Sequence, residues 1–165
     1  MTEQLHCKQL HREQSLSSPS PERLAAWRTF LETSVWLLDL LDREMQRNAG
    51  IPIRWYDVLV HLEDAPEGMR MNELAREIVT SKSGLTRVID GMEEAGLVRR
   101  IRPEGDRRVI LVALTDAGVA LMEQARRHHR HTLEEHFSRH LTDAETQTLT
   151  RALGKVRAAL RDTRP

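Results

Sequence analysis

Hydrophobic positions in this chain recur with helical spacing over most of its length. Leu24, Leu31, Leu38 and Met45 repeat every seven residues, and Trp27 and Leu41 fill the intervening positions. That spacing predicts a long amphipathic helix over 22–48, with a stripe for packing against another helix. Asn48-Ala49-Gly50-Ile51-Pro52 ends it, because Gly readily turns left-handed and Pro cannot continue a helix. A second helix is expected over 53–63, with Trp55, Val58, Leu59 and Leu62 on one side. Asp64-Ala65-Pro66-Glu67-Gly68 reads as a turn.

Between 71 and 115 the pattern shortens. Two brief helical segments flank a polar break, and strands are expected at 97–101 and 109–114, joined by an Arg-rich tip over 102–108. Thr115 is a natural N-cap for a helix running to about residue 140, with Met122, Ala125, His129, Leu133 and Phe137 on one side. Leu141-Thr142-Asp143 breaks it, and Leu149, Leu153, Val156 and Leu160 form the stripe of a last helix. Residues 1–20 show no steady period and end in Ser and Pro. A tail is expected there, with a helical turn near 5–10, before Ser20 caps a helix opened by Pro21. The fold class is mainly α with a small β-ribbon (α+β): a helix-turn-helix and ribbon, flanked by long helices.

The two central elements carry the candidate chemistry. On a helix over 81–95, Leu85, Val88, Ile89 and Met92 share one face, while Ser83, Thr86, Arg87 and Asp90 share the opposite one, with Lys82 alongside. The apolar face must bury against the preceding helix, where Leu74, Ala75 and Ile78 point inward. The polar face offers hydroxyls, a lysine and an arginine that can reach base edges and phosphates in a major groove. Gly96 ends this helix. Arg102, Arg107 and Arg108 sit on the hairpin tip, where an arginine suits the concentrated negative potential of a narrow minor groove. A polar helix face or an Arg-rich tip by itself is usually solvated surface. Their adjacency on one scaffold is what favours a nucleic-acid duplex as partner.

Composition narrows the setting. The chain has 165 residues, 39% hydrophobic and 30% charged, as suits a soluble helix-rich protein of one domain, or of one domain with an appended helical part. Six aromatics (three Trp, two Phe, one Tyr) leave the core to aliphatic residues and Met. The formal net charge of zero argues against indiscriminate nucleic-acid binding, yet a specific reader needs only a local basic face. The lone Cys7 cannot close an internal disulfide, and no secretory signal or membrane span is visible. A cytoplasmic protein without membrane association is expected.

The chain resembles the MarR family of winged-helix transcriptional regulators. The resemblance is carried by Glu73-Leu74-Ala75, Ser83-Gly84-Leu85-Thr86-Arg87-Val88-Ile89-Asp90 and Glu94-Ala95-Gly96-Leu97-Val98-Arg99-Arg100. It continues through Pro103, Asp106-Arg107-Arg108 and Leu114-Thr115-Asp116-Ala117-Gly118. It implies a homodimer with interleaved terminal helices, a recognition helix over 81–95 in the major groove and a wing over 102–108 in the minor groove. Dimerisation regions are then expected at 21–52 and 115–165, with the winged helix-turn-helix at 53–114. Asp106 and Arg108 match the family's wing Asp and Arg, and Asp90 matches an acidic position that can pair with the wing arginine. Asp90 and Asp106 are therefore read as wing-orienting. The first helix of the motif lacks the usual Ser/Thr cap, since Arg70-Met71-Asn72 stands there, and Arg70 becomes a candidate phosphate contact. Val109 stands where relatives often carry a small residue. The candidate DNA contacts are Arg70, Ser81, Lys82, Ser83, Thr86, Arg87, Arg102, Arg107 and Arg108.

The function expected is a regulator, acting as a repressor on a pseudo-palindromic operator and released by a small-molecule effector. The partners are double-stranded DNA, a second copy of the chain and the effector. No cofactor, metal or catalytic residue is expected, since no phosphate loop, nucleophile elbow or Cys/His arrangement is present. Other signals define alternatives. His128, His129, His131, His136 and His140 cluster, and His136 and His140 have metal-ligand spacing if one helix carries both. Cys7 is a candidate oxidant sensor, although it lies in the tail. Trp27, Trp36, Trp55 and Tyr56 could line an effector pocket, against the plainer reading of core packing. A winged helix used only for protein docking is disfavoured by the polar reading face.

Overall fold

A computed structural model describes residues 18–78, 82–103 and 109–161. In chain order these form α1 (Pro21–Ala49), α2 (Ile53–Glu63), β1 (Met69–Arg70), α3 (Met71–Glu77), α4 (Lys82–Glu94), β2 (Val98–Ile101), β3 (Leu111–Leu114), α5 (Asp116–His136), a 3-10 turn (Ser138–His140) and α6 (Asp143–Arg161). Residues 1–38 and 39–165 make two compact units. Most of the tail falls outside the described residues, as does the hairpin tip beyond Pro103.

In the larger unit one core joins the elements. Met45, Leu59, Leu62, Leu74, Leu85, Ile89, Met92, Val98, Val112 and Met122 are almost fully buried in it. Each is the inward position of a 3.6-residue or two-residue period, so the faces expected from spacing are those the fold buries. Asp42 accepts a hydrogen bond from the Ile53 amide at 2.8 Å, which satisfies a free donor at the start of α2.

The sheet has one more strand than the sequence pattern suggests. β3 lies between β2 and β1, antiparallel to both, with Val98 opposite Leu114, Ile101 opposite Leu111 and Met69 opposite Val112. Two residues cannot display alternation, so the sequence pattern assigns no element to residues 69 and 70. Gly68 permits the approach: its φ is +91°, and a Cβ there would stand 3.1 Å from both Leu111 Cβ and the Val112 carbonyl oxygen.

The junction from sheet to α5 is tightly tied. Thr115 Oγ1 accepts from the Gly118 amide at 3.1 Å and caps the helix. Its hydroxyl is within donating distance of the carbonyls of Gly96 (2.6 Å) and Leu97 (3.1 Å), and its own amide donates to Leu97 at 3.1 Å. The Leu114–Gly118 motif thus fastens the end of the ribbon to the helix.

α5 ends earlier than its hydrophobic pattern suggests. Phe137 leaves the helical region (φ −135°, ψ −63°), and Ser138–His140 is a separate 3-10 turn. His136 and His140 are therefore not one turn apart on a continuous helix. Among the described residues, no group of three His, Cys, Asp or Glu side chains is placed to hold a metal ion. Thr142 then opens α6, with its amide and hydroxyl both donating to the Glu145 carboxylate.

Among the described residues, the end helices carry exposed apolar side chains. In the unit of residues 18–38, Leu24, Trp27, Leu31, Val35 and Leu38 are all exposed, as is Trp36. Leu153, Val156 and Leu160 of α6 are exposed too.

Candidate nucleic-acid interface

α3 and α4 form the helix-turn-helix. Leu74 and Ile78 meet Leu85, Ile89 and Met92 in the core, with Ala75 and Val88 partly buried beside them. This leaves Thr86, Arg87 and Asp90 on the exposed face of α4, as their spacing predicts. Lys82 opens α4, and Ser83 follows in its first turn. The placement of those two side chains, and all of Ser81, Asp106, Arg107 and Arg108, lies outside the described residues.

Arg70 is exposed at the end of β1 and directly precedes α3. Its amide donates to Glu73 Oε2 at 3.2 Å. The missing Ser/Thr cap is thus partly replaced by an acid three residues on, reaching back to the N-cap amide. Arg102 is exposed where the chain leaves β2. The described candidates accordingly divide between the exposed side of α4 and one end of the small sheet, where Arg70 and Ile101, the residue before Arg102, both lie opposite Leu111.

Asp90 has a partner that the sequence reading did not name. Its Oδ1 accepts from Arg100 Nη2, and Arg100 Nη1 bonds Glu93 Oε2. The Arg100 amide also donates to Glu93 Oε1 at 3.1 Å. The bond to Asp90, together with Glu93, raises the guanidinium above its ordinary value against the opposing effect of burial, so Arg100 stays charged. The expected partner Arg108 lies outside the described residues. A signal for Arg100 existed: strand alternation puts it on the face opposite Arg99, and Asp90 and Glu93 are one helical turn apart.

The aromatic residues read as pocket candidates separate into different roles. Trp55 of α2 lies against α4, where a Cβ on Gly91 would stand 3.2 Å from Trp55 Cζ2. Tyr56 is buried and packs on His129 of α5, with ring centroids 4.8 Å apart. Trp27 and Trp36 are exposed on the unit of residues 18–38.

Around the Tyr56–His129 pair, burial controls the titrations. It pushes the His129 imidazole below its ordinary 6.5, opposed by Asp57, and pushes the Asp57 carboxyl up, opposed by His61 and His129. The signs differ. A lowered histidine contributes stability that is present above 6.5 and lost as pH falls through its folded value. A raised carboxylate contributes stability that is present below its unfolded value and lost as pH rises through its folded one. We expect thermal stability to decline as pH falls below 6.5, and His129→Phe to flatten that decline while keeping a ring against Tyr56. Melting curves from pH 7.5 downward check this; an unchanged slope would refute it.

Two helices, a ribbon and an exposed polar face on the second helix define a winged helix-turn-helix protein. A MarR family model matches residues 49–109. The HTH-type transcriptional regulator PecS of Dickeya dadantii (strain 3937) is 32% identical over 95 residues, 54% of this chain and 57% of PecS, so the match spans little more than half of that relative. YpoP of Bacillus subtilis (strain 168), an uncharacterized HTH-type transcriptional regulator, is 31% identical over 121 residues, 72% of this chain and 78% of YpoP. The crystal structure of Sco3205 from Streptomyces coelicolor, a MarR family transcriptional regulator in complex with DNA, superposes with a TM-score of 0.84 at 28% identity. That superposition covers 89% of this chain and 92% of Sco3205. The chain belongs to the MarR family. Its named relatives are transcriptional regulators. Among the described residues, no helix is long and apolar enough to cross a membrane.

Proposed function

We propose that this protein is a cytoplasmic transcriptional repressor that binds a pseudo-palindromic operator as a homodimer and leaves it when a small-molecule effector binds. The observation that carries this reading is the exposed Thr86–Arg87 side of α4, set opposite a fully buried Leu85–Ile89–Met92 side. The likeness to Sco3205, solved on DNA, supports it. In this reading residues 53–114 read DNA, and residues 21–52 and 115–165 hold two copies together. Ser81, Lys82, Ser83, Thr86 and Arg87 serve the major groove, Arg70 a phosphate, and Arg102, Arg107 and Arg108 the minor groove. Asp90 and Asp106 orient the wing.

α2 gives effector release a physical route. It packs on α5 through Tyr56 and His129, and on the reading helix through Trp55 and Gly91. A ligand that displaces α2 therefore moves α4. Half-sites lie about one helical turn, ~34 Å, apart, so a small rotation prevents both copies from docking together.

Footprinting on DNA flanking its own gene, with and without candidate effectors, tests the reading. Arg87→Ala is expected to weaken operator binding by about 5- to 150-fold, the equivalent of ~1–3 kcal/mol. Arg102→Ala is expected to weaken operator binding and to lower its salt dependence. Wild-type affinity in both variants would remove α4 and the wing as the reading surface.

A further inference from the structure

We propose that Arg100 is a positioning residue for DNA reading, fastening the base of the wing to two successive turns of the reading helix. The inference rests on the DNA-reading function proposed above and adds to it a residue that sets the geometry of the two reading elements without touching DNA.

The contacts form a bracket. The guanidinium divides between Asp90 and Glu93 of α4, and the Glu93 carboxylate also holds the Arg100 amide of β2 at 3.1 Å. Side chain and backbone of one strand residue are thus tied to two points along one helix. A guanidinium is planar and presents its donors in a fixed fork, so such a pairing fixes orientation as well as distance. The Arg100 side chain is only 27% exposed, against 56% for Asp90, so solvent screens this bracket less than an open surface pair.

Apolar packing alone leaves that angle loosely set. Leu85, Ile89 and Met92 bury α4 through contacts that are non-directional, and a helix so held can roll about its axis. The bracket grips the helix away from that buried side and opposes the roll. Electrostatics point the same way. Asp90 stands on the exposed face with Thr86 and Arg87, where a carboxylate repels phosphate. An acid in that position is unfavourable for a surface selected only to attract DNA. It fits a surface on which the angle between helix and wing matters more than one added charge.

The test separates geometry from charge by sign. It uses the full chain, the duplex the wild type footprints, and a scrambled duplex of equal length. Asp90→Asn with Glu93→Gln removes two negative charges per chain, so charge alone predicts tighter binding to both duplexes. Positioning predicts unchanged or tighter binding to the scrambled duplex and about tenfold weaker binding to the operator, a coupling of the size found within one salt-bridge network. Arg100→Met is expected to lose similar discrimination with an unchanged salt slope, whereas a phosphate contact would lower the slope by about 1. The near-isosteric double variant keeps the test valid if Arg100→Met folds poorly. Operator binding that tightens in parallel with scrambled DNA, or a lowered slope in Arg100→Met, overturns the inference alone. Absence of any wild-type footprint overturns the DNA-reading function and this inference with it.

Discussion

Gly118→Ala is expected to destabilise the protein by about 3 kcal/mol or more, among the largest effects of any single methyl group in the chain. A Cβ at residue 118 would stand 2.1 Å from the Leu97 carbonyl oxygen and 3.1 Å from its carbon. Those are backbone atoms, and they cannot swing aside as a side chain would. The same carbonyl accepts from the Thr115 amide and hydroxyl, so moving it also strains the cap of α5. For a chain of this length the loss corresponds to about 6–12 °C in Tm. The matched control is Gly154→Ala in α6, where nothing lies within 4 Å of an added Cβ in the chain. There the methyl group is expected to stabilise by about 0.5–1 kcal/mol through the helix preference for Ala over Gly. Thermal melts of the two variants should move in opposite directions. A Gly118→Ala protein melting within a degree or two of wild type would show that the ribbon and α5 are not locked through this contact.

The same junction shows what was legible in the sequence. Thr115 could be recognised as a cap because capping is local chemistry, between a hydroxyl and an amide three residues on. The demand for glycine at 118 was not derivable, since the clashing carbonyl belongs to Leu97, on the far side of the ribbon. The reading helix follows the first pattern. Its buried and exposed faces came from 3.6-residue spacing, which needs no knowledge of neighbours. Arg100 follows the second. Its role depends on which of two alternating strand faces meets α4, a tertiary fact, and the resemblance directed attention to Arg108 instead. The end of α5 at His136 also escaped the pattern, because Leu133 and Phe137 keep the apolar period across the point where the backbone turns. β1 escaped because a two-residue strand has no period at all.

For the homodimer proposed above, replacing Leu31 or Leu38 with Glu is expected to give monomers and to weaken operator binding by about a hundredfold or more, since each copy then binds its half-site alone. Among the described residues, the end helices expose rows of large apolar side chains. Leu24, Trp27, Leu31, Val35 and Leu38 are exposed, and at 100° per residue they fall within about 80° of one another around α1. Leu153, Val156 and Leu160 give α6 a similar stripe. Full burial of one such side chain contributes about 1.5–3 kcal/mol, so covering even half of them offsets the cost of association. A second copy presents the same stripes, and two-fold pairing closes the assembly without leaving an open face. Trp36 provides an internal contrast. It is 69% exposed but lies off the stripe, whereas Trp27 lies on it. On dilution through the dissociation constant, iodide quenching of Trp27 should rise while that of Trp36 stays constant, with Trp→Phe variants separating the signals. Sedimentation of the Leu31→Glu and Leu38→Glu variants reads the oligomeric state directly. Dimers of wild-type affinity in both, with Trp27 as accessible before dilution as after, would mean that residues 18–38 cover nothing in a second copy. The spacing of two reading helices would then have to be set elsewhere in the chain.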